Sequence, residues 1–376
     1  MSEMVRLGDV VNVSASNLHL PDEDIWLLNL DMVEQQTGNI IDYNYVSKEK
    51  LNGSIIQFDT ENVLYSKLRP NLNKVVIPKM NGYATSEMLP LRPNMDFITK
   101  EYLCAYLRSD SFVTWAVSKT SGAKMPRLGT KELLSKTIPL PPLSEQRHIA
   151  AVLDKVSELI ALRKRQLDLL DEMVKARFVE MFGDQKNNEK KWIQSTIGNC
   201  CTLRSGTTLP SEVENEGGDI PYVKVGDMNI IGNEYYITTS SRFVSKKTAG
   251  KGIFPIGCVI FPKRGGAIGT NKKRLTTLPI CADLNVMGVI PTSKIKPRYL
   301  KVYFDMIDIG TIENGSSVPQ INNKDISPLI ICIPPIELQN QFDDFVQQVD
   351  KSKAAVQQGL DRLNLLKSAL MQEYFG

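Results

Sequence analysis

A long helical pattern that occurs twice dominates this sequence. Its first copy opens with Pro141 and Pro142 and runs on to Gly183. Apolar residues recur in steps of three and four, the spacing of one helix face, at Ile149, Val152, Val156, Ile160, Leu167, Leu170, Val174, Phe178 and Met181. The prolines suit the approach to a helix, Ser144 suits its N-cap and Gly183 suits its end. About 38 residues make a rod of roughly 57 Å, whose apolar stripe needs a partner of similar length.

The second copy supplies that partner, because residues 334–376 align with residues 141–183 without a gap. The apolar positions then correspond as Ile149 with Phe342, Val152 with Phe345, Val156 with Val349, Leu167 with Leu360 and Leu170 with Leu363. We predict that these ten residues pack two antiparallel helices as a coiled coil. The same register continues upstream, where residues 125–133 match residues 318–326. Such a long period indicates a duplicated unit of one domain plus one helix.

The duplication predicts an α+β fold with a pseudo-twofold internal repeat. Two mixed α/β domains are expected, separated by the two long antiparallel helices. The predicted boundaries are 1–141 for the first domain, 142–183 for the central helix, 184–191 for a polar linker, 192–334 for the second domain and 335–376 for the C-terminal helix.

Composition places the chain among ordinary globular proteins. It has 376 residues, of which 42% are hydrophobic and 23% charged, and no apolar run approaches the ~20 residues of a membrane span. The start, MSEMVRLGDVV, lacks the charged-then-apolar pattern of a signal peptide, so we expect a cytoplasmic protein without membrane contact. The six cysteines include no Cys-x-x-Cys, and we interpret them as buried thiols rather than disulfide or zinc-site residues.

Catalytic patterns are missing from the sequence. The chain has two histidines, His19 and His148, and position 341 in the second copy is Gln341 where the first copy has His148. The glycine-rich stretch 264–272 lacks the Gly-Lys-Ser/Thr ending of a phosphate-binding loop. We therefore predict no catalytic residues, no metal site and no bound cofactor.

Basic loops recur at matching places in the two copies. Lys and Arg neutralise phosphates, while Arg, Asn and Gln read base edges in the major groove of DNA. The net charge of +3 permits nucleic-acid binding without requiring it, and any single basic residue is as readily explained as part of a solvated loop. The candidate DNA-binding residues are Lys67, Arg69, Asn71, Lys74, Lys124, Arg127, Lys263, Arg264, Lys272, Lys273, Arg274 and Gln320.

The proline-and-helix motif resembles that of the specificity subunits of type I restriction–modification systems. The resemblance is carried by residues 138–149 (IPLPPLSEQRHI), by Ala176-Arg177-Phe178 and by the partial repeat at residues 333–339 (IPPIELQ), and it extends over the two-copy layout. The second helix departs from the first, with Leu338 and Asn340 where Glu145 and Arg147 stand.

The resemblance implies a non-catalytic DNA-binding subunit. Two target-recognition domains would each read one half of a bipartite sequence in double-stranded DNA, and the helices would set the gap between the halves. The helices would also dock two methyltransferase subunits, which would bind S-adenosylmethionine, and a separate restriction and translocase subunit would complete the assembly.

One rival function remains open at this stage, and a second is disfavoured by the sequence. A coiled-coil protein scaffold without DNA binding explains the helices but not the paired basic loops. A stand-alone DNA-modifying enzyme would need motifs that the sequence does not contain.

Overall fold

The structure is a computed structural model that describes residues 3–20, 22, 24–51, 53–214, 216–312 and 319–376. It divides into two compact units: unit 1 comprises Met1–Lys164 with Gln358–Gly376, and unit 2 comprises Arg165–Gln357. The division falls in the middle of both long helices. The boundaries predicted from the sequence instead treat each helix as a separate segment.

Unit 1 is built from short strands and helices. Its strands are β1 (Glu3–Arg6), β2 (Val11–Val13), β3 (Ile25–Leu28), β4 (Tyr45–Val46), β5 (Ile55–Phe58), β6 (Val63–Ser66), β7 (Val75–Val76), β8 (Gly82–Thr85), β9 (Met88–Pro93) and β10 (Thr137–Leu140). Its helices are α1 (Leu7–Val10), α2 (Lys100–Leu107), α3 (Asp110–Ser118), α4 (Thr130–Ser135) and the first part of α5 (Leu143–Phe182).

Unit 2 repeats this composition. Its strands are β11 (Ile193–Thr196), β12 (Cys201–Ser205), β13 (Ile220–Val223), β14 (Tyr236–Ile237), β15 (Phe243–Val244), β16 (Ile253–Phe254), β17 (Val259–Pro262), β18 (Arg274–Thr276), β19 (Ile280–Ala282), β20 (Val286–Pro291) and β21 (Ile330–Ile333). Its helices are the second part of α5, α6 (Ile197–Cys200), α7 (Lys246–Ala249), α8 (Pro297–Asp305), α9 (Asn323–Ile326) and the first part of α10 (Ile336–Phe375), which ends in unit 1.

The strand order confirms the internal repeat. In unit 1 the sheets run β2-β9-β6-β7 and β4-β3-β8-β5, and β1 pairs with β10. Unit 2 has the corresponding orders β12-β20-β17-β18 and β15-β13-β19-β16, with β11 paired to β21. Even the single parallel pair in the second of these sheets is repeated, as β3 with β8 and β13 with β19. Unit 2 adds β14, parallel to β18, beyond this shared frame.

Each unit packs part of both long helices into its own core. Helices α5 and α10 have 40 residues each, a length of about 60 Å. In unit 1, Ile149 and Leu153 of α5 share a buried cluster with Phe375 of α10. In unit 2, the ring of Phe342 on α10 lies 5.5 Å from that of Phe178 and 5.3 Å from that of Phe182. The apolar stripes thus bury against the domains as well as against helix residues.

The predicted packing residues fall into two groups. Ile149, Val156, Phe342, Val349 and Leu360 are buried. The half-buried ones are Val152, Leu167, Leu170, Phe345 and Leu363.

In each unit one buried glutamine fixes the domain to the start of its long helix. Gln146 is fully buried; its amide donates to the carbonyls of Phe97 (2.7 Å) and Pro141 (2.8 Å), and its oxygen accepts from Thr99 N (2.9 Å).

Gln339 repeats the arrangement in unit 2. Its amide donates to the carbonyls of Lys294 (3.0 Å) and Pro334 (2.9 Å), and its oxygen accepts from Lys296 N (2.8 Å). Because every polar atom of these buried amides is paired, each glutamine holds one defined junction.

One detail of the sequence prediction is wrong. Helix α5 begins at Leu143, so Ser144 lies inside its first turn and is not the N-cap; the first main-chain bond runs from Gln146 N to Pro142 O at 3.0 Å. Helices α2 and α3 are separate, because Ser109 caps α3 by accepting from Phe112 N at 3.3 Å. Gly183 ends α5 as predicted, with φ +73°.

Candidate nucleic-acid interface

In unit 1 the two predicted basic loops are joined by main-chain hydrogen bonds. Leu68 and Arg127 form a β-bridge. Arg69 N donates to Pro126 O at 2.8 Å, and Leu128 N donates to Lys67 O at 2.9 Å. Residues far apart in sequence therefore form one surface, with Lys124 exposed on the second loop.

Arg69 occupies a special backbone position at the centre of this surface. Its φ is +48°, in the left-handed region that non-glycine residues rarely adopt, and it precedes the turn Pro70–Leu72. Neither Arg69 nor Asn71 buries its side chain. The hydrogen bond to Pro126 O holds the strained residue in place, so its guanidinium is presented to solvent from a fixed backbone.

Unit 2 contains the same loop junction in the same register. Gly265 N donates to Pro319 O at 2.8 Å, and Ile321 N donates to Lys263 O at 2.9 Å. Arg264 and Gln320 form the β-bridge, and Gly265 repeats the left-handed backbone with φ +70°. Arg264 is exposed. The loop residues 314–318, which the sequence comparison included, lie outside the described residues.

Three basic residues of unit 2 that were predicted to bind DNA have side chains that donate hydrogen bonds to protein oxygens. Lys263 is 6% exposed and donates to Ser205 Oγ at 2.8 Å. Lys273 is 3% exposed and donates to Asn271 Oδ1 and Ile307 O, both at 2.6 Å. Burial lowers the pKa of Lys263, and it lowers the pKa of Lys273 to about 8.

The third of these cations is Arg274, whose guanidinium donates to the carbonyls of Asn233, Lys273 (2.9 Å) and Met228 (3.1 Å). Burial lowers its pKa as well. In the structure Lys263, Lys273 and Arg274 each donate to protein oxygens, and a contact of these three residues with DNA stays a prediction.

Other predicted residues are partly engaged. Lys74 donates to Leu30 O, Arg127 pairs with Glu87 at 2.9 Å, Lys272 donates to Asn229 Oδ1, and Gln320 donates to Asn322 Oδ1 at 2.7 Å. Among the described residues, the candidates without a side-chain hydrogen bond or ion pair are Lys67, Arg69, Asn71, Lys124 and Arg264.

Gln146 and Gln339 were not identified from the sequence as positioning residues. Their signal is present, since each stands five residues after the first proline of its pair. A polar residue at the same place in both copies of an apolar helix pattern indicates a buried amide with conserved partners in the fold.

Features of other site classes were also sought. All six cysteines are free and buried, as interpreted from the sequence. Within the described ranges, no group of three or more His, Cys, Asp or Glu side chains is arranged to hold a metal ion. No helix in the described part of the chain is long and apolar enough to cross a membrane.

Comparison with known proteins identifies the family of this chain. The sequence model of the type I restriction modification DNA specificity domain matches residues 2–172 and again residues 189–365. The MjaIX specificity subunit of Methanocaldococcus jannaschii is 24% identical over 77% of this chain and 73% of its own length. The EcoDI specificity subunit of Escherichia coli is 29% identical over 34% of this chain and 28% of its own.

Solved structures show the same fold. One, from work on complex assembly and conformational transition of the type I R-M system, covers 99% of this chain and 97% of its own with a TM-score of 0.59 at 20% identity. The S subunit from M. genitalium covers 100% and 96%, with a TM-score of 0.59 at 13% identity. With two matches of the family domain spanning most of its length, this chain belongs to the family of type I restriction–modification DNA specificity subunits.

Proposed function

We propose that this chain is a non-catalytic specificity subunit that reads a bipartite sequence in double-stranded DNA. The domain of unit 1 reads one half and the domain of unit 2 reads the other. The supporting observation is the repeated loop junction, in which the same two main-chain hydrogen bonds hold a loop with an exposed arginine in each unit. Arg69 is itself a donor in the junction of unit 1, whereas Arg264 stands one residue before the corresponding donor of unit 2, Gly265.

The DNA contacts in this proposal come from basic candidates whose side chains have no partner among the described residues; Lys67 is half-buried and the other three are exposed. Lys67, Arg69 and Lys124 act in unit 1, and Arg264 acts in unit 2. Arginine suits both tasks, since it neutralises phosphate and bonds bidentately to guanine. Lys263, Lys273 and Arg274 keep the loops of unit 2 in shape.

The proposal extends to partner subunits. Apolar side chains remain exposed on α5 and α10, where they add nothing to the cores: Leu162 (56%), Leu169 (48%), Met173 (42%), Leu365 (72%) and Leu366 (47%). Exposed apolar residues on structural helices are typical of protein-binding surfaces. We assign them to the docking of two methyltransferase subunits, which bind the S-adenosylmethionine and carry out methyl transfer, while a restriction and translocase subunit completes the complex.

The proposal also makes the two long helices an antiparallel coiled-coil spacer. Support comes from each unit separately: unit 1 uses the start of α5 with the end of α10, and unit 2 uses the end of α5 with the start of α10. The length of the helices then sets the gap between the half-sites.

The test is DNA binding by the assembled methyltransferase with altered loops. Arg69→Ala and Lys124→Ala should weaken binding, and each lost phosphate contact should flatten the slope of log affinity against log salt by about 0.9. Arg264→Ala should relax the other half-site while leaving the first half-site unchanged. Lys186→Ala, an exposed linker cation, is the charge-matched control.

The rival scaffold function makes the opposite prediction. A protein-only scaffold would recruit the methyltransferase subunits but give no salt-dependent, sequence-specific binding to duplex DNA. Relaxation of both half-sites by Arg264→Ala alone would also contradict the division of reading between the domains.

A further inference from the structure

Unit 1 contains an open cleft between its domain and its part of the long helices. Its volume is about 530 Å³. One wall is helix α2 with Glu101, Ala105 and Arg108, and the opposite wall includes Leu153, Ser157, Lys367 and Ser368 of the long helices. We call this space the domain-1 cleft.

Unit 2 closes the corresponding space with its own side chains. The repeat makes Arg298, Asp305 and Asp350 the counterparts of Glu101, Arg108 and Ser157. There the remaining volume is only about 50 Å³. Tyr235 and Tyr236 line it.

Polar contacts fix these two tyrosines. The hydroxyl of Tyr236 donates to Asp350 Oδ2, and the Arg298 guanidinium lies 6.0 Å from the centre of the Tyr236 ring. The hydroxyl of Tyr235 donates to Asp171 Oδ2 at 2.8 Å, while the ammonium of Lys353 lies 4.2 Å from its ring centre. In unit 2 this space is therefore filled by tyrosine rings, each with its hydroxyl hydrogen-bonded to an aspartate of a long helix.

The difference between the units has a structural origin. Tyr236 begins β14, the strand that unit 2 adds to the shared frame, and Tyr235 precedes it. In unit 1 the described residues form no strand at the corresponding edge beside β7. Tyr43 lines the domain-1 cleft and stays 43% exposed. Its ring centre lies 5.5 Å from that of Trp26 and 6.5 Å from that of Tyr45, so a ligand ring would extend this aromatic group from its exposed side.

The open cleft contains two cationic side chains, Lys367 and Arg108, with donors that no described residue accepts from. Half-buried Lys367 donates no hydrogen bond and forms no ion pair with a described residue. Burial lowers its pKa, and the nearby Arg108 and Lys164 lower it further. Arg108 uses Nε and Nη2 on Val75 O, which leaves Nη1 available.

The charges lining the cleft balance one another. Lys79, Arg108 and Lys367 face Glu101, Asp110 and Asp154. Such a balance suits a ligand with one acidic group and a hydrogen-bond donor, and disfavours a polyphosphate.

We propose that the domain-1 cleft is a binding site for a small aromatic acid with a ring hydroxyl. The ring takes the place that Tyr236 fills in unit 2 and stacks near Tyr43. The acidic group pairs with Lys367 and with Arg108 Nη1. The hydroxyl donates to Asp154 or to Ser157 Oγ, the counterpart of the Asp350 carboxylate. This inference does not depend on DNA reading.

The probe is 4-hydroxyphenylacetate, titrated calorimetrically into the full chain. One molecule should bind with a Kd of about 0.1–1 mM, the range of an efficient ligand of this size. Cyclohexylacetate, which has the same charge but neither the aromatic ring nor the ring hydroxyl, should bind at least about tenfold more weakly. The absence of binding by 4-hydroxyphenylacetate, or equal binding of the two acids, would overturn the proposal.

Three variants locate the site. Lys367→Met should raise the Kd at least about tenfold, and Ser368→Trp, which fills the cleft from an exposed helix position, should abolish binding. Tyr236→Ala opens the matching space in unit 2 but should leave the stoichiometry at one, because that space has Val174 and Asp305 where the domain-1 cleft has Lys367 and Arg108. Circular dichroism establishes that each variant is folded, and unchanged binding in folded Lys367→Met and Ser368→Trp would contradict the assignment even if Tyr236→Ala does not fold.

Discussion

Lys273 of unit 2 shows that a basic residue in a polar loop need not lie on the protein surface. Lys272, Lys273 and Arg274 are adjacent cations in a stretch rich in Gly and Asn, the usual appearance of a DNA-binding loop. Lys273 nevertheless points inward, where two oxygens accept from its ammonium. Burial of a charged group costs free energy even when it is hydrogen-bonded, so its folded pKa falls to about 8 from 10.5.

That lowered pKa predicts a specific dependence of stability on pH. Folded Lys273 binds its proton more weakly than the unfolded chain does, so between its pKa of about 8 and 10.5 the unfolded state holds more protons. The free energy of unfolding of the wild type should therefore rise, relative to that of Lys273→Met, by about 3 kcal/mol across this window.

Urea denaturation of the two proteins at several pH values measures this difference. Lys131→Met, at an exposed helix position, controls for the general effect of removing a lysine. A difference that stays flat through the window would mean that Lys273 keeps an ordinary pKa in the folded protein.

The paired glutamines are the second case at this scale. Gln146→Glu keeps the shape but replaces two donated hydrogen bonds with a buried carboxylate beside the carbonyls of Phe97 and Pro141. We expect the free energy of unfolding at neutral pH to fall by about 2–4 kcal/mol. Gln339→Glu should behave alike, while Gln341→Glu, at an exposed site on the same helix as Gln339, should have little effect. Thermal melts that leave the first two variants at wild-type stability would contradict a structural role.

At the scale of elements, the long helices carry the clearest sequence signal. Helix α5 ends at Phe182, directly before Gly183 as predicted, and starts at Leu143 rather than after a Ser144 cap, because Pro142 O accepts the first main-chain bond. The apolar stripe of α5 repeats over about ten helical turns, so its period of three to four residues can be recognised even where single positions depart from it. The two-residue strands β4, β14, β15 and β16 have no such period and exist through pairing with distant strands. For the same reason the alignment predicted which loops correspond, but not which of their cations point inward.

Two positions on α10 allow its packing in the core of unit 2 to be tested separately from its proposed docking of methyltransferase subunits. Val349 is 3% exposed within the core of unit 2, whereas Leu365 is 72% exposed. Val349→Asp should lower the free energy of unfolding by about 3 kcal/mol or more, because it buries an unpaired charge.

Leu365→Asp is the matched variant on the same helix. It should change stability by no more than about 0.5 kcal/mol and yet reduce co-purification of the methyltransferase subunits. Chemical denaturation and affinity purification measure the two quantities separately. Full methyltransferase recovery with Leu365→Asp would place the docking surface elsewhere.

On the scale of the whole molecule, duplication preserved a frame and freed its surface to diverge. The sheet orders, the loop junctions and the glutamine contacts are the same in the two units. The loop cations and the filling of the cleft differ. A shared frame with divergent loops is what reading two unlike half-sequences requires, since main-chain bonds fix the loop while side chains select the bases.

Under the proposed function, helix length is the variable that sets the distance between the two half-sequences. Four residues inserted between Lys164 and Arg165, with four more between Gln357 and Gln358, lengthen both helices by about 6 Å and turn them only about 40° beyond one full turn. Both apolar stripes stay matched, and the preferred gap should grow by one or two base pairs at about 3.4 Å each, with both half-sequences unchanged. Mapping of methylated sites for the assembled methyltransferase measures the gap. Insertion into α5 alone should instead mismatch the two stripes and reduce stability, so an unchanged gap with full methylation in the double insertion would show that the helices do not set the spacing.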